Sequence, residues 1–202
     1  WNIGTFWDQS NLDDVGFISA MVDQIYQNFN IDLDRVYACG MSNGGYMAYE
    51  LACELEDKIT AFGSVTGNFM LNISTGQNCE FTREVPIVHF HGTSDSVVDY
   101  YPPTFDGALT ALESADFWSE YNDFDLEFIE DLNDNVEIYK YYNDNSLTEF
   151  LHYKVYGGEH DWFKEEWGFH TSEELIDFFL NYNLSDFLYD IIIGDVNGDS
   201  TI

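Results

Sequence analysis

The sequence predicts an α/β fold on a mostly parallel sheet, and three observations carry that prediction. Short apolar runs alternate with segments of helical period along most of the chain. A glycine-rich turn, Gly40-Met41-Ser42-Asn43-Gly44-Gly45, joins an apolar run to a helical one. At 202 residues, 45% hydrophobic and 18% aromatic, the chain can build one sizeable core, which excludes a disordered acidic polymer.

Val15, Ile18, Val22, Ile25 and Phe29 recur at spacings of three and four, one face of an amphipathic helix. Asp13 and Asp14 suit its N-terminus, and Asn30 lies just past its end. Arg35 to Cys39 reads as a short buried strand, with Cys39 a buried thiol, and Asn43 to Glu54 as a second helix. Ile59 to Val65 and Pro86 to His91 read as strands, the latter ended by Gly92, and Ala108 to Tyr121 has a helical pattern. The acid-rich stretch from Asp123 to Asn135 reads as a surface loop or helix end. Val136 to Tyr142 and Leu147 to Tyr156 flank Asn143-Asp144-Asn145-Ser146 as a hairpin. Thr171-Ser172-Glu173-Glu174 reads as a capping box opening a helix with Leu175, Phe178, Phe179 and Tyr182 as its buried stripe. This gives a main domain over 1–182, a linker over 183–193 and the start of a new segment over 194–202.

Thirty-eight acids face six bases, a formal charge of −32. A field of that sign repels phosphate backbones and anionic lipid, so no nucleic-acid or membrane partner is expected. The acidity reads as a solvated surface suited to a salty medium. No apolar run approaches the ~18 residues of a membrane span, and no leader peptide is visible. Cys53 and Cys79 stay open between a disulfide in an oxidising compartment and two thiols.

Gly40 to Gly44 matches G-x-S-x-G between a predicted strand and a predicted helix. The glycines allow a sharp turn that exposes the serine, and the helix start aims N–H groups, Asn43's first, at a developing oxyanion. A serine nucleophile needs a base, and the base an orienting acid. Asp95 follows the Pro86–His91 strand, and His160 lies on the glycine-led loop after the last strand, giving the chain order Ser, Asp, His. Loops at the carboxyl edge of a parallel sheet are where such sites assemble. Asp99 is the rival acid, further from the strand end. His89 and His152 read as core residues, His170 as exposed, and His91, which ends a strand beside the acid, as shaping the site; it precedes the acid and so breaks the order expected of the base.

These motifs come with Asp13-Asp14-Val15-Gly16-Phe17, Leu51-Ala52-Cys53-Glu54, His89-Phe90-His91-Gly92-Thr93 and Gly157-Gly158 before His160 and Trp162. As a set, spanning roughly Trp1 to Tyr182, they resemble the polyhydroxybutyrate depolymerase and feruloyl esterase group of secreted α/β-hydrolases, related to carbohydrate esterase family 1. The resemblance implies Ser42 as nucleophile, Asp95 as acid, His160 as base and Asn43 as an oxyanion donor. It also implies Met41 and Trp162 at the substrate, and no catalytic cofactor. Its fold has strands before the nucleophile strand. With 34 residues ahead of Arg35, the chain then reads as the C-terminal part of that sheet, a fragment whose Arg35–Cys39 strand forms an edge.

At the other end, Asp195, Asn197, Asp199 and Thr201 occupy positions 1, 3, 5 and 7 of an EF-hand-like loop, resembling the start of a dockerin. Calcium there requires the rest of the loop, and a complete dockerin implies a scaffold protein as partner. The expectation is an extracellular serine esterase working through an acyl-enzyme. Its substrates would be feruloyl or acetyl esters on polysaccharide, or hydroxyalkanoate esters. A prolyl-oligopeptidase-like peptidase and an inactive hydrolase-fold scaffold module are the alternatives.

Overall fold

The structure is a computed structural model and describes residues 1–3, 12–71, 79, 82–104 and 107–187. Six strands form one sheet: β1 (Tyr37–Met41), β2 (Ala61–Val65), β3 (Ile87–Gly92), β4 (Leu126–Asn133), β5 (Val136–Tyr142) and β6 (Glu149–Val155). Their order is β1-β2-β3-β6-β5-β4. The first four strands in that order run parallel, and β5 and β4 add an antiparallel ribbon. The sheet is therefore mixed, with its parallel half in sequence order.

Four helices cover it: α1 (Asp14–Asn28), α2 (Asn43–Glu54), α3 (Ala111–Tyr121) and α4 (Thr171–Phe179). Alternate residues of the buried strands serve opposite faces. Phe62, Ile87 and Phe150 join Tyr46, Met47 and Tyr49 of α2 and Trp118 of α3 in one core. Val65, Val88, Phe90, Tyr153 and Val155 join Leu175, Phe178 and Phe179 of α4 in the other. Burial on both faces explains why β2 and β3 read as continuous apolar runs.

Several boundaries and roles differ from the sequence reading. Arg35 ends a short 3-10 turn, and β1 runs on through Gly40 and Met41. The 123–135 stretch contains β4, paired along its length with β5. Water lies on both faces of β4, so it shows no alternating pattern to betray a strand. The capping box at Thr171 does not form. His170 is the N-cap, its Nδ1 accepting the Ser172 N–H at 3.2 Å, while Thr171 is fully buried. A reciprocal box appears instead at α3, where Thr110 and Glu113 each accept from the other's backbone.

Cys53 and Cys79 form a disulfide closing a 26-residue separation. Cys39 is exposed, not buried, because among the described strands β1 pairs with β2 alone. An apolar groove of about 770 Å³ runs along this open edge, between Val22 and Ile25 of α1 and Met47 and Leu51 of α2. Residues 183–187, read as the start of a linker, are packed: Leu184 and Phe187 are buried, and Ser185 bonds Asp34 through its N–H and hydroxyl. The calcium-loop pattern Asp195, Asn197, Asp199 and Thr201 lies outside the described residues, as does the remainder of 188–202. Among the described residues no acidic, histidine or cysteine cluster is arranged to hold a metal ion.

Candidate active site

Ser42 sits between the end of β1 and the start of α2 with φ 56° and ψ −121°, a conformation that strains any residue with a side chain. The backbone around it holds it there. Ser42 N–H donates to the Val65 carbonyl at 2.8 Å, and the Ser42 carbonyl accepts from Gly45 and Tyr46 at 2.8 and 3.1 Å. A Cβ on Gly40 would come within 2.2 Å of the Gly44 carbonyl oxygen, so packing demands the first glycine of G-x-S-x-G, whereas a Cβ on Gly44 would meet open space. Asn43 is the first helical residue of α2, and its N–H has no acceptor among the described residues. Met41 closes β1, half-buried.

The acid is carried by the turn after β3, which is tied to the end of β6. Thr93 N–H donates to the Val155 carbonyl and Ser94 N–H to the Gly158 carbonyl, each at 2.9 Å. Asp95 has a fully buried side chain. Its Oδ1 accepts the Val97 and Val98 N–H groups at 2.8 and 2.9 Å. Its Oδ2 lies 2.8 Å from Nδ1 of His160 and 3.5 Å from Nε2 of His91. Burial would raise the Asp95 pKa. Hydrogen bonds from His91, His160 and the two N–H groups outweigh it and lower the pKa to about 2.

His160 follows Gly157, at φ 76°, and Gly158, and its side chain is 18% exposed. Its ring meets Asp95, whereas Asp99 engages Thr104 through its N–H. Among the described residues no hydrogen bond joins Ser42 to His160, so the structure brings the expected acid and base together and leaves the expected nucleophile separate. All three side chains nonetheless issue from one edge of the sheet, because β1, β3 and β6 are parallel and end there. Trp162 is half-buried, its indole N–H fixed by the Ser172 hydroxyl at 3.0 Å.

His89 and His152 are fully buried, as their place in strands predicts. Burial first, then the neighbouring imidazoles, pushes His89 well below the usual range, and His152 falls to about 3 through burial and His91. What sequence reasoning missed is their order. Tyr49, His89 and His91 form a hydrogen-bonded file ending at the Asp95 turn. The i, i+2 spacing of His89 and His91 in a strand, which places both on one face, was the available signal.

The chain is similar to known esterases. The chain is 37% identical over 94 residues to a bifunctional acetylxylan esterase/xylanase of Neocallimastix patriciarum, covering 46% of this chain and 13% of that protein. It is 35% identical over 132 residues to feruloyl esterase B of Piromyces equi, covering 60% of this chain and 24% of that protein. The chain thus spans about a quarter or less of those two relatives. Among solved structures, a thermostable esterase superposes with TM-score 0.53 at 16% identity, over 85% of this chain and 37% of that one. A variant of SOBER1 from Arabidopsis thaliana gives 0.54 at 19%, over 86% and 67%. At such identities these two show the fold, that of the α/β-hydrolases. The phospholipase/carboxylesterase family model matches residues 10–114, from ahead of α1 to the first turn of α3, and the chain belongs to that family.

Proposed function

We propose that this chain carries the nucleophile, base and acid of a serine carboxylic ester hydrolase. The observation that supports it most is the 2.8 Å contact between His160 and a buried, ionised Asp95, at the sheet edge where Ser42 occupies a strained elbow. Asp95 holds the proton of His160 on Nδ1, leaving Nε2 free to accept. Ser42 Oγ attacks the ester carbonyl carbon while its proton passes to Nε2 of His160, and the carbonyl becomes an oxyanion facing the Asn43 N–H. Collapse breaks the carbon–oxygen bond to the alcohol, which takes the proton from His160 and leaves an acyl-serine. Water, deprotonated by His160, then releases the acid and restores the serine. No cofactor enters these steps.

The relatives' names point to feruloyl or acetyl esters on plant cell-wall polysaccharide as the substrate class. Trp162, held by Ser172 near the base, is suited to stack on an aromatic acyl group or sugar. The Cys53–Cys79 disulfide supports an oxidising, extracellular setting. The 195–201 pattern supports a calcium loop that would tether the protein to a scaffold. The test is hydrolysis of p-nitrophenyl acetate and methyl ferulate by the protein and its Ser42→Ala variant. A loss of about 10⁶-fold in kcat is expected on both esters. Equal rates in the two proteins would place the nucleophile elsewhere.

A further inference from the structure

Behind the acid lies a buried polar file that ester hydrolysis as described does not use. The Tyr49 hydroxyl of α2 is 2.7 Å from His89 Nδ1, His89 Nε2 is 3.2 Å from His91 Nδ1, and His91 Nε2 is 2.8 Å from the Val98 carbonyl. Both imidazoles are completely buried, and Tyr49 is 2% exposed. The direction of the file follows from its last member. A carbonyl only accepts, so His91 Nε2 carries a proton. With that one proton on its ring, His91 accepts at Nδ1 from His89 Nε2–H, and His89 Nδ1 accepts from the Tyr49 hydroxyl. Every ring nitrogen in the file is thereby satisfied, and each histidine has one tautomer.

The Val98 carbonyl belongs to the turn whose N–H groups grip Asp95 Oδ1, and the same His91 Nε2–H lies 3.5 Å from Asp95 Oδ2. We infer that His91 is a positioning residue for the acid: it clamps the Asp95–Val98 turn and aims Oδ2 at His160, in a tautomer set by the Val98 carbonyl and matched by His89 and Tyr49. Besides His91, the groups facing Asp95 are His160 from the loop after β6, the Val97 and Val98 N–H groups of its own turn, and the Tyr46 phenol of α2. Of these, His91 is the side chain that bridges the rigid strand β3 to the turn.

This inference rests on the proposed triad, and its test separates the two. Gln at position 91 can place an amide N–H near the site of Nε2, whereas Leu cannot. His91→Leu is expected to lower kcat by about 10²-fold, the cost of roughly ångström-scale misplacement, with KM within about twofold. His91→Gln should recover most of that loss. The downfield Nδ1–H proton resonance of His160, which reports its bond to Asp95 without any turnover, should broaden in the Leu variant and persist in the Gln variant. If His91→Leu does not fold, Tyr49→Phe replaces it. Tyr49→Phe leaves His89 Nδ1 without its donor and loosens the ring that supports His91, and kcat should fall by about 10-fold, one lost hydrogen bond; an unchanged kcat there overturns the inference as well. A His91→Leu protein with the wild-type resonance and kcat overturns the inference, as does a Gln variant that falls as far as Leu. Failure of the triad itself would show separately, as unchanged hydrolysis in Ser42→Ala.

Discussion

Asp95→Asn is the sharpest probe of the site, because the structure dictates which way the new amide must face. Oδ1 of Asp95 accepts two backbone N–H groups, from Val97 and Val98. The asparagine oxygen must take that place, since turning the amide group toward two donors would forfeit both bonds, at about 2 kcal/mol or more. That is a preference of about thirtyfold or greater. The amide nitrogen therefore falls where Oδ2 stood, 2.8 Å from Nδ1 of His160, and donates to it. His160 then carries its proton on Nε2, on the side meant to accept from the serine. The wrong tautomer costs about 10⁴ in kcat, close to 5 kcal/mol of barrier. The side chain keeps its volume and both N–H bonds, so the unfolding free energy at pH 7 should fall by no more than Asp95's electrostatic share, about 2 kcal/mol. The assay is kcat and KM on p-nitrophenyl acetate, with urea unfolding alongside and Asp99→Asn as control, expected within about twofold of wild type. An Asp95→Asn enzyme within tenfold of wild type would refute the reasoning, as would a large loss in Asp99→Asn alone.

Three more outcomes are expected. Asp95 has a folded pKa of about 2 against an ordinary 3.8, so its contribution of about 2 kcal/mol is complete above pH 4 and lost as pH falls toward 2. Urea unfolding of wild type and Asp95→Asn should accordingly converge by that amount between pH 5 and 2, and parallel curves would contradict it. Ser42→Gly relieves the strain at φ 56° and should raise Tm by about 3 °C, roughly 1 kcal/mol, while ending hydrolysis; a lower Tm would mean the elbow is unstrained. Replacing Cys53 and Cys79 by serine opens a loop of 26 residues' separation and should cost about 3 kcal/mol, or a Tm lower by about 10 °C in a thermal melt; an unchanged Tm under non-reducing conditions would show that the bond contributes nothing.

The central architecture was legible because several constraints coincide in it. Apolar strands buried on both faces leave continuous runs, and the elbow leaves glycines at fixed spacing, so β1 to β3, α2 and the Ser42–Asp95–His160 order could all be read. Asp95's place just past a strand end was readable too, and in the structure its carboxylate meets His160. Other features depend on neighbours distant in sequence. β4 is a strand through backbone pairing with β5, and its wet side chains carry no period. At α4 the hydroxyl of Thr171 is enclosed and His170 takes over the cap, a choice made by tertiary packing. The Thr110–Glu113 box was present in the sequence and would have placed the start of α3 three residues later than its apolar pattern suggested.

The strand order sets different tolerances for the parts of the site. Asp95 and His160 follow adjacent strands, β3 and β6, whose loops are stitched together by the Thr93–Val155 and Ser94–Gly158 bonds. The nucleophile stands apart, with β2 between it and the acid's strand, two strand spacings or about 10 Å away along the sheet. In the proposed reaction the loops after β3 and β6 reach back across β2, like cantilevers, toward Ser42. β2 therefore acts as a spacer gauge: its thickness and twist fix the distance to be bridged, although none of its side chains has a chemical task. At Gly63 a Cβ would come within 2.2 Å of the Leu175 side chain, so the bare backbone there lets α4 lie close against the spacer strand.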